Sequence, residues 1–127
     1  MRVAIDTNAA VDFLRGSRPS PSIFTASSAL VIPLPVVGEL YAGAEISRLP
    51  EENLRAVENL LALCEIINPD RETARIYGRV RVVFRGATGV AILNDLWTAA
   101  LCLQHRLPLV TNDRDFDRIE GLSVLRP

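Results

Sequence analysis

The chain of 127 residues contains no lysine, so all fourteen of its basic residues are arginine. This absence excludes nucleotide-binding P-loops, whose lysine reaches the phosphates, and enzymes that form a Schiff base through a lysine amine. It also argues against a receiver domain, which has a similar length and normally relies on a lysine. Fifteen acidic residues bring the formal net charge to −1. That charge argues against binding nucleic acid through bulk positive charge but allows a local basic patch.

Histidine and cysteine are almost as scarce as lysine. The single histidine, His105, excludes acid–base ribonucleases with paired histidines and HExxH zinc sites. We expect it to sit at a helix end, where a cation is stabilised. Cys64 and Cys102 are far apart and form no CxxC pair. They are expected to be isolated buried thiols, with no disulfide framework.

Long apolar runs are also missing. The longest one, Ala29 to Val37, is interrupted by Pro33 and Pro35 and is too short to cross a bilayer. Too few apolar residues follow Arg2 for a signal peptide. We therefore expect a soluble, cytoplasmic protein without a membrane segment. With 49% hydrophobic and 23% charged residues, the whole of 1–127 is predicted to form one globular domain.

What is present is an alternation of short apolar runs with segments of helical periodicity. This alternation is typical of an α/β fold in which helices cover a parallel sheet. The predicted strands are 3–5, 30–32, 65–67, 109–110 and 122–125, the last at an edge, with a polar turn at 112–118. Helices are predicted over about 7–15, in a stretch after the loop 17–21, from Val36, over about 51–63, from Asp70 to Gly86, and from Asn94.

Four acidic residues occupy related places in this pattern. Asp6 directly follows the first strand, and Asp113 follows the strand at 109–110. Glu39 is predicted in the first turn of the helix from Val36, and Asp95 is predicted to open a helix. Because the ends of parallel strands and the starts of the following helices share one edge of a sheet, we expect these acids to converge there.

Converging carboxylates repel one another and take up protons unless a cation compensates them. Oxygen ligands of this kind suit Mg²⁺ or Mn²⁺, and helix N-termini offer N–H groups to a phosphate. The combination indicates metal-assisted phosphodiester hydrolysis. Each acid also has a structural interpretation: Asp6 and Asp95 as helix caps, Asp113 as a turn residue, and Glu39 as a solvated carboxylate favoured by the helix dipole.

Four segments match, in order and spacing, the motifs of a known family. They are Ile5-Asp6-Thr7-Asn8, Val36-Val37-Gly38-Glu39-Leu40-Tyr41-Ala42-Gly43, Asn94-Asp95-Leu96-Trp97-Thr98-Ala99-Ala100 and Val110-Thr111-Asn112-Asp113-Arg114-Asp115-Phe116. Through them the whole chain resembles the PIN-domain ribonucleases, specifically the VapC toxins of bacterial and archaeal toxin–antitoxin pairs. Pro35 is a departure, since related sequences often carry serine or threonine there, but proline is tolerated at a helix start.

The resemblance implies a three-layer α/β/α PIN-like domain with a central five-stranded parallel sheet. It also implies an endoribonuclease that depends on Mg²⁺ or Mn²⁺ and leaves 5′-phosphate and 3′-hydroxyl ends. The implied partners are an RNA substrate, a second copy of the chain and a VapB-type antitoxin in a hetero-oligomer.

Carried over by position, the resemblance assigns catalysis and metal binding to Asp6, Glu39, Asp95 and Asp113. Asp6 and Asp95 are the implied direct ligands. Hydrogen-bonding support for the carboxylates or for water is assigned to Thr7, Asn8, Thr111, Asn112 and Asp115, the last being also the alternative fourth acid.

The segment 71–85 concentrates positive charge. Its five arginines face one glutamate, giving +4, so the other 112 residues carry −5. This face is either a solvated helix surface or a contact for the RNA backbone. The candidate RNA-binding residues are Arg71, Arg75, Arg79, Arg81 and Arg85.

Three aromatic residues and two other functions complete the expectations. Trp97 either packs in the core or a subunit interface or stacks on a base, while Tyr41 and Tyr77 are expected in the core. One alternative function is an inactive PIN-like module that only binds a partner, against which the four intact acids count. The other is an α/β phosphatase or phosphotransferase, but the sequence after Asp6 lacks the second aspartate that such enzymes place two residues on.

Overall fold

The structure is a computed structural model that describes residues 1–16 and 29–127. Within these residues the strands are β1 (Arg2–Ile5), β2 (Ala29–Pro33), β3 (Glu65–Ile67), β4 (Leu109–Val110) and β5 (Val124–Leu125). The helices are α1 (Thr7–Leu14), α2 (Leu34–Glu45), α3 (Pro50–Leu61), α4 (Arg71–Val83) and α5 (Val90–His105), with a short 3₁₀ helix at Arg114–Arg118 in the predicted polar turn. The loop and helical stretch predicted after residue 16 fall in 17–28, outside the described residues.

The five described strands form one parallel sheet in the order β3-β2-β1-β4-β5. β5 is an edge strand, as predicted. From β1 the chain proceeds to β2 on one side, and from β4 it proceeds to β5 on the other. The connections diverge between these two neighbours, and the crevice beyond their carboxyl ends is where open α/β sheets bind ligands.

The sheet separates two apolar cores, which makes the fold three-layered as predicted. Val3 and Ile5 point into the core with α1, α2 and α3. Ala4, between them, points into the core with α4 and α5. The alternation follows from the pleat, which directs successive side chains to opposite faces. Strands covered on both faces are accordingly apolar throughout, which explains the short apolar runs of the sequence.

Two helices begin earlier than predicted, so two of the acids lie further from the start of their helices than predicted. α2 begins at Leu34, because Pro35 fits the first turn of a helix. α5 begins at Val90 and not at Asn94, directly after Gly89, whose φ of 114° favours glycine. Glu39 and Asp95 are therefore each the sixth residue of their helices. The prediction that Glu39 lies in the first turn was wrong, and so was the prediction that Asp95 opens its helix.

α4 and α5 pack against each other in opposite directions. At one end Asp70 caps α4 through a capping box with Thr73, as the start signal predicted. The hydroxyl of Thr73 and the carboxylate of Asp70 also contact Gln104 near the end of α5. At the other end Phe84 and Ile92 line one small cavity. One end of this helix pair is therefore closed by polar contacts, whereas the other end contains a small cavity.

The scarce residues lie largely where they were expected. His105 is the last residue of α5 and is exposed. Cys102 is buried and Cys64 is half-buried, and both are free thiols. No helix in residues 1–16 or 29–127 is long and apolar enough to cross a membrane.

Candidate functional site

Asp6 occupies the carboxyl end of β1 and is only 6% exposed. Its Oδ1 accepts the N–H of Ala9 at 2.9 Å and caps α1, so the helix-cap interpretation is correct. Its Oδ2 accepts a hydrogen bond from the hydroxyl of Thr111, beyond β4. Burial raises the pKa of Asp6, the two hydrogen bonds oppose that rise, and the charges of Asp113 and Glu39 add to it.

Thr111 links two of the acids through one hydroxyl group. It is fully buried, and besides donating to Asp6 its oxygen accepts the N–H of Asp113 at 3.0 Å. Asp113 in turn accepts the N–H of Asp115 at 2.9 Å and caps the 3₁₀ helix, so its turn role is also correct. The strand ends of β1 and β4 therefore present both carboxylates at the same crevice.

Glu39 reaches this edge from the second turn of α2. The hydroxyl of Thr7, at the start of α1, donates to its Oε1 at 2.7 Å. Because Thr7 follows Asp6 directly, the start of α1 holds one acid and contacts another. Glu39 is half-buried, so it is not the freely solvated carboxylate of the alternative interpretation.

Asp95 on α5 is close enough to the other acids of the pocket for their charges to shift its pKa. Burial is the largest cause that raises its pKa, followed by the charges of Asp113, Glu39, Asp6 and Asp115. Together they raise the pKa of Asp95 to about 7. Charges act on one another this strongly only at short range in a partly buried setting. The helix-cap interpretation of Asp95 is excluded, since Gly89 occupies the cap position of α5.

The donor set of this pocket consists of carboxylate oxygens, which hard divalent cations prefer. Across residues 1–16 and 29–127, no group of three or more acidic, histidine or cysteine side chains is placed closely enough to coordinate a metal ion. Like charges keep apart when nothing neutralises them. A cation would remove the repulsion that raises the pKa of Asp95, so these residues fit a divalent ion such as Mg²⁺ or Mn²⁺.

The remaining residues assigned to support the acids divide into two groups. The hydroxyls of Thr7 and Thr111 contact carboxylates, as described above. Asn8 and Asn112 are exposed. Asp115 is also exposed, and it lines a small cavity together with Asp95, Phe84 and Phe116.

The arginines of α4 do not form one uniform surface. Arg75 pairs with Glu72, and both side chains are about half exposed. Arg81 donates to the carbonyls of Phe84 and Ala87, where it caps the end of α4. The other three candidates are exposed: Arg71, Arg79 and Arg85. Arg81, near the end of α4, and Arg85, two residues past it, flank Phe84, which lines a cavity with Asp95.

Sequence reasoning missed two arginines near the acids. The guanidinium of Arg118 lies 4.4 Å from the centre of the Phe84 ring and donates to the carbonyl of Val83 at 3.3 Å. Arg126 donates to the carbonyl of Thr111 at 2.9 Å and pairs with Asp117. Both act on backbone carbonyls through tertiary contacts, and no motif or periodicity marks such a role.

The aromatic residues are engaged within the chain. Trp97 stacks on Tyr77, with ring centres 4.2 Å apart and planes 18° apart. The packing of Trp97 between α4 and α5 therefore agrees with the structural interpretation. Tyr41 is half-buried, and its hydroxyl donates to Glu58 at 2.7 Å.

Comparison with known proteins agrees with this fold. The PIN domain family model matches residues 3–122. Ribonuclease VapC2 of Haemophilus influenzae is 32% identical over 89 residues, covering 69% of this chain and 67% of that protein. The tRNA(fMet)-specific endonuclease VapC of Salmonella typhimurium is 34% identical over 88 residues, covering 68% and 66%.

Solved structures extend the similarity to nearly the whole chain. VapBC2 from Rickettsia felis, bound to a DNA fragment from its promoter, gives a TM-score of 0.84 at 25% identity, covering 99% of this chain and 98% of that one. DNA-bound VapBC from Salmonella typhimurium gives 0.82 at 27% identity with the same coverage. The chain belongs to the PIN-domain family. Within that family it is similar to the VapC proteins of VapBC toxin–antitoxin complexes.

Proposed function

We propose that this protein is a metal-dependent endoribonuclease of the VapC type, the toxin of a type II toxin–antitoxin pair. The observation behind this proposal is that carboxylates from separate chain segments meet at the crevice between β1 and β4, where burial and their charges together raise the pKa of Asp95 to about 7. Such a perturbed acid in a cleft is typical of a functional site. The similarity to proteins named as ribonucleases supports RNA as the substrate.

In this proposal Asp6, Glu39, Asp95 and Asp113 hold Mg²⁺ or Mn²⁺. An ion held there would supply an activated water and would neutralise charge that develops on the phosphate. Thr111 fixes Asp6 and Asp113 relative to each other, while Thr7 fixes Glu39. The carboxyl of Asp95 holds a proton at neutral pH for part of the time and releases it when positive charge enters the pocket.

Exposed arginines of the segment 71–85 supply the contacts to the RNA backbone. Arg85 is exposed just past α4 and follows Phe84, which lines a cavity with Asp95, while Arg79 is exposed on α4 itself. Arginine suits this role because its planar guanidinium binds phosphate oxygens in pairs. Arg75 and Arg81 already have partners within the chain and are less available.

A VapB-type antitoxin is the proposed protein partner, together with a second copy of this chain. The support is that similar structures are VapBC complexes, two of them bound to DNA. An inactive partner-binding module is not favoured, since it would have no need to hold four repelling carboxylates together. A phosphatase is not favoured, since the similar proteins are named as nucleases.

Sequencing of RNA ends after brief expression tests the proposed function. Wild type is compared with Asp95→Asn, which removes one carboxylate and keeps the side-chain shape. Glu45→Gln is the matched control, because it removes an exposed carboxylate at the far end of α2. We expect new 5′-phosphate ends with wild type and Glu45→Gln only. Equal cleavage by folded Asp95→Asn would contradict the assignment.

A further inference from the structure

We propose that Arg126 is a positioning residue for the acidic pocket, since it holds the segment that carries Asp113 and Asp115. This inference rests on the proposed metal-dependent function. Arg126 follows β5 and is the last residue but one. Its two terminal nitrogens bind the segment 111–117 at two places: Nη1 donates to the carbonyl of Thr111 at 2.9 Å, and Nη2 pairs with Asp117.

The first contact falls on the residue that connects the acids. The side chain of Thr111 binds Asp6 and the N–H of Asp113, and its own N–H donates to the carbonyl of Leu125 at 3.0 Å. With Arg126 on its carbonyl, every polar group of Thr111 is engaged. β4 and β5 pair over only two residues each. The guanidinium therefore adds a side-chain contact to the short backbone pairing between β5 and this segment.

The second contact holds the far end of the same segment. Segment 113–117 carries three aspartates, and the last of them, Asp117, is paired with Arg126. The guanidinium contacts Thr111 ahead of Asp113 and Asp115, and it contacts Asp117 after them. Arg126 therefore fixes both ends of the stretch of backbone that carries these two acids.

An exposed ion pair usually contributes little by itself, so the test must separate positioning from plain stability. The chain offers a matched control in Arg2, which donates two hydrogen bonds to Glu65 at 3.0 and 2.7 Å. The side chains of that pair are 45% and 50% exposed, and those of Arg126 and Asp117 are 35% and 45% exposed. Arg2–Glu65 joins the starting residues of β1 and β3, at the opposite edge from the acids.

The experiment is calorimetric titration of the full chain with Mn²⁺, with melting temperatures to verify folding. We expect Arg126→Gln to weaken Mn²⁺ binding about tenfold, the lower end for groups that orient metal ligands. Arg126→Lys is expected to lie between wild type and Arg126→Gln, because an ammonium is a point charge without the planar fork. Asp117→Asn should weaken binding less than Arg126→Gln, since the contact with Thr111 remains. RNA cleavage by Arg126→Gln should recover at saturating Mn²⁺.

Arg2→Gln should bind Mn²⁺ like wild type. Unchanged Mn²⁺ affinity in folded Arg126→Gln would overturn the positioning role, as would an equal loss in Arg2→Gln. If Arg126→Gln fails to fold, Arg126→Lys and Asp117→Asn decide by the same criterion. Asp95→Asn is titrated alongside them: if it also binds Mn²⁺ like wild type, the metal site itself is wrong. If only Asp95→Asn loses binding, the site stands and the role of Arg126 falls.

Discussion

Two fully buried threonines in this protein contact aspartates whose pKa values shift in opposite directions. The hydroxyls of Thr73 and Thr111 each contact an aspartate that caps a helix. The aspartate at Thr73 is Asp70, whose pKa is lowered by the N–H of Thr73 first and by the side chain of Gln104 next. The aspartate at Thr111 is Asp6, whose pKa is raised.

The difference comes from the surroundings and not from the hydrogen bond. Asp70 is exposed, and most of its neighbours are donors that favour the charged carboxylate. Asp6 is buried beside Glu39 and Asp113, so desolvation and like charges outweigh its two hydrogen bonds. The contacts around Asp70 stabilise the fold. The burial of Asp6 beside other acids lowers the stability of the fold unless a cation binds there. A stability cost of this kind is typical of residues that serve a function.

The largest effect on activity is expected from removal of the Thr111 hydroxyl, which contacts both Asp6 and Asp113. Thr111→Val keeps the shape of the side chain and removes its contacts to Asp6 and Asp113. We expect RNA cleavage to fall about 10–100-fold, the usual loss when a group that orients metal ligands is removed. The assay measures initial rates on the RNA identified by end mapping. Near-wild-type rates at limiting Mn²⁺ would show that the hydroxyl does not position these acids.

Thr73→Val is the corresponding change at the other end of the α4–α5 pair, where the start of α4 meets the end of α5. Its hydroxyl accepts from the N–H of Asp70 at 2.9 Å and contacts Gln104. The change leaves these groups without that partner and should lower the free energy of unfolding by about 1–3 kcal/mol. Denaturant unfolding measures the loss. The cleavage rate per folded molecule should stay at the wild-type value, and a rate loss like that of Thr111→Val would break the distinction.

The smallest effect is expected from single arginines at the start of α4 and just past its end. Arg85→Gln, next to Phe84 on the side of Asp95, should reduce the salt slope of RNA binding by about 1, as expected for one phosphate contact. Arg71→Gln, beside Asp70, should leave the slope unchanged. Binding is measured by fluorescence anisotropy across a salt series with Asp95→Asn as the background, so that RNA is not cleaved. Equal reductions would mean that RNA follows the whole helix.

The sequence predicted the strands, a parallel sheet covered by helices, and the place of Asp6 and Asp113 at one edge of that sheet, because those depend on short-range patterns. Apolar runs mark strands buried on both faces, and the residue after a strand lies at the sheet edge whatever the rest of the chain does. The start of α5 was predicted four residues late. Asn94 and Asp95 look like a helix start, whereas the helix begins directly after Gly89, whose positive φ marks the actual boundary.

Contacts between distant parts of the chain were not predictable in the same way. Arg126 lies fifteen residues from Thr111 and nine from Asp117, and its position in the sequence carries no periodic signal. Arg81 looked like part of a basic helix face, but its guanidinium reaches the carbonyls just past the helix end. Such roles depend on where two segments meet after folding.

In the proposed function, the pocket holds repelling carboxylates until a divalent cation neutralises them. The pKa of Asp95 is about 7 in the folded protein and close to 3.8 in an ordinary setting. Between these values the folded state binds a proton that the unfolded chain does not. The free energy of unfolding of the metal-free protein should therefore fall as the pH rises from about 4 to about 7. Asp95→Asn removes this contribution.

The most direct measurement is the melting temperature of wild type and Asp95→Asn at about pH 8, without metal and with saturating Mn²⁺. Without metal, we predict that Asp95→Asn melts higher, because it relieves the charge repulsion. With Mn²⁺, we predict that the order reverses, because wild type gains binding energy that the variant has lost. A wild type that melts higher without metal, or an equal Mn²⁺ shift in both proteins, would contradict the claim.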